Sequence, residues 1–204
     1  MNISVKNLYK AYGENEVLKD YSYDFPERGI VCITGPSGCG KTTLVNIIMG
    51  LIKPDSGTIE GRQGGIACAF QEDRLLPWNT LFENIYFVCD KNKALRAEQE
   101  EVCEKWISAM ELSDSKDKYP DELSGGMKRR VALARAMVRS EDADCHLIVM
   151  DEPFKGLDGD LKLRIMSKVT EGAKDKLLIV ITHDKEEAAF LSENIIEFTK
   201  YVGT

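Results

Sequence analysis

The sequence lacks any apolar run long enough to span a membrane; the stretch from Leu177 to Ile181 is typical of its hydrophobic segments. No secretory leader opens it, so the expectation is a chain that stays in the cytoplasm and leaves any membrane spanning to a partner. Basic excess is also missing: 27 Lys and Arg stand against 34 Asp and Glu, a net charge of −7. That balance argues against a general nucleic-acid binder, although it leaves room for a local basic site. The six cysteines, Cys32, Cys39, Cys68, Cys89, Cys103 and Cys145, form no C-x-x-C pair and no zinc spacing. Their use as small hydrophobes in or beside apolar runs fits a reducing compartment. Internal repeats, low-complexity tracts and linkers are absent too, and 204 residues suit one domain with a full core.

What is present centres on Gly35-Pro36-Ser37-Gly38-Cys39-Gly40-Lys41-Thr42-Thr43. The apolar run Ile30 to Ile33 precedes it and Leu44 to Gly50 follows, giving the order strand, glycine loop, helix. Glycines let the backbone wrap a phosphate chain with its N–H groups inward, and the helix beginning near Lys41 adds its positive end. In this pattern the lysine reaches the outer phosphates and the Thr42 hydroxyl holds Mg²⁺.

Ahead of the loop, Ile3 to Leu8 and Val17 to Phe25 read as an antiparallel pair with a turn at Gly13. Tyr12, just before that turn, is either an ordinary strand aromatic or a platform for a nucleotide base. Behind the loop, Ile66 to Phe70 reads as a buried strand ending at Gln71. Open α/β sheets bind ligands at such strand ends, so Gln71 either meets Mg²⁺ and the attacking water or bonds to backbone. Leu75, Leu76, Pro77 and Trp78 then gather apolar groups in a loop, as core or as a partner-binding surface. Thr80 to Glu83 is a capping box that starts a helix. A second helix is predicted over 92–111, with Leu95, Val102, Trp106 and Met110 on its packed face and its charged face solvated. Positions 79–139 therefore read as a helical insertion between sheet strands.

Ser124 is a good N-cap, and Met127, Val131, Ala134 and Val138 repeat at helical spacing after it. A helix that begins Ser124-Gly125-Gly126 leaves its first N–H groups uncovered, so it is a capped end or a second anion site. His146 to Met150 reads as a buried strand ending in Asp151 and Glu152. Side chains alternate along a strand, so the two carboxylates can do different work: Asp151 as a Mg²⁺ ligand and Glu152 as the group that polarises water. Asp158 can cap a helix over 159–169, Leu177 to Thr182 is another buried strand, and His183 follows it at the ligand end. Asp184 to Glu187 reads as a further capping box, and Asn194 to Phe198 as a last strand.

Taken together, the phosphate loop, Gln71, Leu123-Ser124-Gly125-Gly126, the strand ending Asp151-Glu152, Gly156-Leu157-Asp158 and His183 resemble the ATP-binding cassette (ABC) ATPases over essentially the whole length. The stretch from Phe70 to Trp78 is similar to ATPase subunits of bacterial importers for nitrate, sulfonates and taurine. The resemblance implies an α/β fold: a phosphate-loop core with a mainly parallel sheet, an N-terminal antiparallel β subdomain and the helical insertion. It implies ATP and Mg²⁺ as ligands, with Tyr12 on adenine, residues 35–43 on the phosphates, Thr42, Gln71 and Asp151 around Mg²⁺, Glu152 as catalytic carboxylate and His183 as γ-phosphate sensor. Ser124, Gly125, Gly126 and Asp158 would meet ATP held by a second, head-to-tail ATPase subunit. The remaining implied partners are membrane permease subunits and an extracytoplasmic binding protein, with the chain peripheral on the inner face of the membrane and no nucleic acid expected.

This sequence departs from the family pattern in places. Met127 stands where Gln is usual, Lys155-Gly156 stands where Ser-Ala is usual, and the segment 57–70 is short, as if a strand or turn of the N-terminal sheet were missing. The sequence ends soon after the last core strand, with no added regulatory domain expected. A soluble ABC ATPase acting on nucleic acid or a protein assembly, and a non-catalytic nucleotide sensor, are the alternative readings.

Overall fold

The computed structural model describes residues 2–89 and 95–198. The N-terminal part is a three-stranded antiparallel sheet in the order β2-β1-β4, from β1 (Ser4–Tyr12), β2 (Asn15–Asp24) and β4 (Ser56–Glu60). β1 and β2 pair across a register that slips three times, and Asn7 and Asp20 take left-handed backbone conformations (φ 47° and 51°) at the irregularity. The Asn7 side-chain amide donates to Asp20 Oδ1 at 2.7 Å, a local bond that offsets the cost of that conformation. The segment 57–70 supplies most of β4, a tight turn and β5 (Gly65–Ala69).

Five parallel strands form the second sheet in the order β5-β6-β7-β3-β8. They are β5, β6 (Cys145–Asp151), β7 (Leu177–Ile181), β3 (Gly29–Thr34) and β8 (Ile195–Glu197). β7 and the stretches 30–33 of β3 and 147–150 of β6 are continuously apolar, as strands covered on both faces are. Their alternation divides the interior. Val31, Ile33, Leu147, Val149, Leu177, Ile179 and Ile181 face α1 (Lys41–Met49) and the antiparallel sheet. Cys32, Ile148, Met150, Leu178 and Val180 face the remaining helices. Burial among these pushes the Cys32 thiol up to about 12.

Between β5 and β6 lie α2 (Leu81–Tyr86), α3 (Arg96–Ala109), two short 3₁₀ turns and α4 (Gly125–Ser140), the helical insertion expected from the sequence. The α2 capping box is formed in both directions. Positions 92–94 of the predicted second helix lie outside the described residues. Leu95, expected on its packed face, precedes α3 and is exposed; Cys103 and Ile107 join Trp106 and Met110 in the core instead. Beyond β6 come α5 (Gly159–Gly172), β7, α6 (Lys185–Leu191) and β8. Asp184 caps α6 by accepting from the N–H groups of Glu186 and Glu187. The expected capping box is half made, because the buried Glu187 carboxylate accepts from Thr182 Oγ1 at 2.6 Å instead of turning back.

Candidate functional site

The carboxyl ends of β3, β5, β6 and β7 converge on one edge of the parallel sheet, and every polar group expected to touch the phosphates or the metal sits there. The loop after β3 turns through Gly35, Gly38 and Gly40, all at positive φ (142°, 77° and 111°). Gly40 is also a close approach: a β-carbon there would stand 2.7 Å from Val17 Cγ1 of β2. The hairpin that carries Tyr12 is thereby pressed against the loop. Tyr12 itself ends β1 half exposed, its ring 5.6 Å from Lys10 Nζ.

Pro36, Ser37 and Gly38 face solvent, while Cys39 is buried beneath them. Lys41, Thr42 and Thr43 form the first turn of α1, and the start of that helix has no acidic side chain and no side-chain cap. Its free N–H groups are left for an anion. Lys41 is only 7% exposed. Its ammonium donates to the carbonyls of Gly35 and Pro36, each at 2.8 Å, so the charge already lies folded over the loop.

Thr42 Oγ1 donates to Asp151 Oδ2 at 2.8 Å, which joins the start of α1 to the end of β6. Burial raises the Asp151 carboxyl above its usual value, against the Thr42 hydrogen bond. Gln71 lies two residues beyond β5, exposed, and lines with Thr42, Asn46, Met49, Arg74 and Asp151 a cavity of about 240 Å³. Among the described residues no group of three or more His, Cys, Asp or Glu gathers as a self-sufficient metal site. One buried carboxylate, one hydroxyl and one amide are instead a donor set of hard oxygens that suits Mg²⁺ completed by phosphate oxygens.

Glu152 follows with a left-handed backbone, φ 47°, fixed by its own N–H donating to Ile181 O at 2.8 Å. Its Oε1 lies 2.9 Å from His183 Nδ1, and Oε2 lies 3.5 Å from Lys155 Nζ. Burial pushes this carboxyl up, but the His183 hydrogen bond and charge together with Lys155 outweigh it and hold Glu152 below the ordinary carboxylate value. Asp151 and Glu152 thus diverge, one toward α1 and the other toward His183.

Ser124 caps α4, its hydroxyl accepting from Met127 N–H at 3.3 Å. Gly125 is open to solvent, and a β-carbon on Gly126 would stand 3.4 Å from the carbonyl of Gly156. Asp158 occupies the N-cap position of α5 but its carboxylate makes no capping bond. Gly156 adopts φ 78°, a conformation that favours glycine, so Lys155-Gly156 builds its own turn. The serine-glycine helix start and the 156–158 loop are therefore neighbours on the surface, apart from the Lys41–Thr42–Asp151 group.

Sequence reasoning missed Arg129, which sits between the two groups. The apolar stripe of α4 implies that the rest of the helix is solvated, yet Arg129 is buried against the ends of β5 and β6. Only its position in a run of basic residues directly after a glycine helix start hinted at it. Arg135, also on α4, donates to the carbonyls of Asp73 at 2.7 Å and Arg74 at 3.0 Å, securing the loop after Gln71. In that loop Leu75 packs on the core and Trp78 is exposed.

This geometry has counterparts. The fold matches the ATP-binding cassette MJ0796 in a dimeric post-hydrolysis state bound to ADP and Pi, with a TM-score of 0.86, 28% identity and coverage of 97% of this chain and 94% of that one. The bicarbonate transport ATP-binding protein CmpD of Synechocystis is 33% identical over 97% of this chain and 74% of its own length. The aliphatic sulfonates import ATP-binding protein SsuB 1 of Pseudomonas savastanoi is 34% identical over 100% of this chain and 82% of its own length. A sulfate/thiosulfate import ATP-binding protein, CysA of Vibrio vulnificus, is 35% identical over 98% of this chain, which spans 61% of that relative's length. The family model for ABC transporters matches residues 18–155, and the chain belongs to that family, on its ATP-binding side.

Proposed function

We propose that this chain is the ATP-binding and ATP-hydrolysing subunit of a bacterial importer, working as one ATPase domain over 1–204 with a helical subdomain at about 79–139. The observation that carries the reading is the pairing at the sheet edge: Thr42 bonded to Asp151 on one side, Glu152 bonded to His183 on the other. That arrangement separates phosphate and metal binding from the handling of water.

The chain's groups divide the work as follows. Tyr12 takes the base, and the loop 35–43 takes the phosphates through its N–H groups. The Lys41 ammonium exchanges the two loop carbonyls for phosphate oxygens of the same polarity. Thr42, Asp151 and Gln71 would hold Mg²⁺, which would supply positive charge against the outer phosphates. Glu152, kept ionised by His183, orients the attacking water and accepts its proton. His183 Nδ1 is tied to Glu152, which leaves Nε2 for the γ-phosphate.

A second copy of the chain supplies Ser124, Gly125, Gly126 and Asp158 to the facing ATP; Ser124, Gly125 and Asp158 are exposed, and the approach of Gly126 to Gly156 supports their acting together. The Leu75 to Trp78 loop meets a membrane permease, which holds the chain at the inner face of the membrane, and an extracytoplasmic binding protein delivers the solute. Among the described residues no helix is long and apolar enough to cross a membrane. Relatives named for sulfate/thiosulfate, bicarbonate and aliphatic sulfonates support a small anion of the nitrate, sulfonate or taurine kind as solute.

The test is Glu152→Gln. Hydrolysis of MgATP should fall by about 10²-fold or more while ATP binding is retained; full turnover would remove Glu152 from the role. The same variant, recovered from detergent-solubilised membranes with ATP, should bring a multi-span permease with it. Recovery with nucleic acid or a soluble assembly instead would overturn the importer reading.

A further inference from the structure

Arg129 lies on α4, five residues beyond Ser124, and is 4% exposed. A buried guanidinium is tolerated only when its N–H groups are all used. Here they are spent on two separate chain segments. Nη1 donates to Phe70 O at 2.6 Å, to Gln71 O at 3.5 Å and to Asp73 Oδ1 at 3.2 Å. Nη2 donates to Asp151 O at 2.7 Å and Glu152 O at 2.9 Å, and Nε to Pro153 O at 2.9 Å. One side chain therefore grips the root of Gln71 with one arm and the backbone of both carboxylate residues with the other. The Glu152 carbonyl that it holds belongs to a residue in a left-handed conformation, which an unrestrained chain would leave.

We propose that Arg129 is a positioning residue for ATP hydrolysis: its guanidinium fixes the strained backbone of Glu152 and the Gln71 loop in a single register. The proposal rests on the ATPase reading above. It requires the planar fork of arginine, because a lysine ammonium offers three donors at one point and cannot hold both segments. Since Ser124 begins the same helix, and Arg135 secures the next stretch of the Gln71 loop, a shift of α4 moves the loop and the carboxylates together.

The test uses Arg129→Lys and Arg129→Gln in the full chain. Wild-type protein that hydrolyses no ATP would refute the ATPase reading itself, a result separate from any difference among variants. With wild-type turnover established, both variants should bind ATP with a KM within about threefold of wild type while kcat falls about 30-fold or more, as expected for sub-ångström misplacement of reacting groups. In nucleotide-free protein, hydrogen–deuterium exchange should quicken over 70–74 and 151–154 together, and not in the β1–β2 hairpin. Wild-type kcat in folded Arg129→Lys would overturn the proposal. So would a kcat that falls only with the folded fraction, since that is the mark of a simple core staple. If both variants fail to fold, Asp73→Ala, which removes only the partly exposed carboxylate on Nη1, should lower kcat by about three- to tenfold with KM kept. An unchanged kcat there would overturn the proposal as well.

Discussion

Glu152 owes its character to two basic neighbours of unequal grip. His183 Nδ1 sits at hydrogen-bond distance from Oε1, whereas Lys155 approaches Oε2 at 3.5 Å from a largely exposed position. An exposed ion pair at that distance is weak, so His183 carries most of the orientation. His183→Ala should therefore lower ATP turnover by about 10²-fold while leaving nucleotide affinity near wild type, read as a KM against kcat separation. An equal loss of affinity would mean that its contact with the γ-phosphate outweighs its hold on Glu152. At this scale the sequence was legible wherever a residue type carries its chemistry in a fixed local pattern. Lys41, Thr42, Asp151 and Glu152 lie at strand ends or a helix start that their neighbours define, and each lands where expected. Arg129 was not legible because all but one of its partners are backbone carbonyls, 22 to 59 positions away, and a carbonyl leaves no signature in a residue string.

The elements meet through a few contacts that tolerate little change. Gly172 ends α5 directly beneath Trp106 of α3 and Met137 of α4; a β-carbon there would stand 2.4 Å from the indole. Gly172→Ala should destabilise the protein by about 1–3 kcal/mol through overpacking, measured by urea unfolding without nucleotide. Little change would mean that the ring can shift without loss. A second junction ties α5 to α6. Lys162 Nζ reaches Asp184 Oδ2 at 2.8 Å and the buried Glu187 at 2.5 Å. Burial works against the Lys162 charge, but the two carboxylates overcome it and raise its pKa; Lys162 in turn holds Asp184 low.

The signs follow. Asp184 contributes stability above about pH 4 and loses it as pH falls through its depressed folded value, while Lys162 contributes below about pH 10 and loses it as pH rises through its raised one. Lys162→Met should cost about 1–3 kcal/mol at pH 7, and the gap to wild type should narrow on acidification below about pH 4. A gap independent of pH would assign the loss to packing. Element types were readable from periodicity, while edges were less so. Leu95 fits the helical spacing of α3 but precedes the helix, and Glu187 fits a capping box but is drawn away by Thr182 and Lys162.

On the scale of the whole molecule, the parallel sheet parts two hydrophobic interiors, one under α1 and the antiparallel sheet, the other under the helical insertion. Continuous apolar runs announced the strands, but their order β5-β6-β7-β3-β8 was not legible. Runs such as Leu177 to Ile181 are apolar on both faces, so no alternation records which neighbour each face meets. The helical insertion also explains a contrast between the two tryptophans. Trp106 is 2% exposed, its indole N–H donating to Glu141 at 2.9 Å, whereas Trp78 on the loop after Gln71 is 72% exposed. Light absorbed by the first is emitted from an apolar interior, and light absorbed by the second from water. A soluble quencher therefore reaches essentially one fluorophore, and the protein carries its own label-free optical gauge of whatever comes to cover that loop.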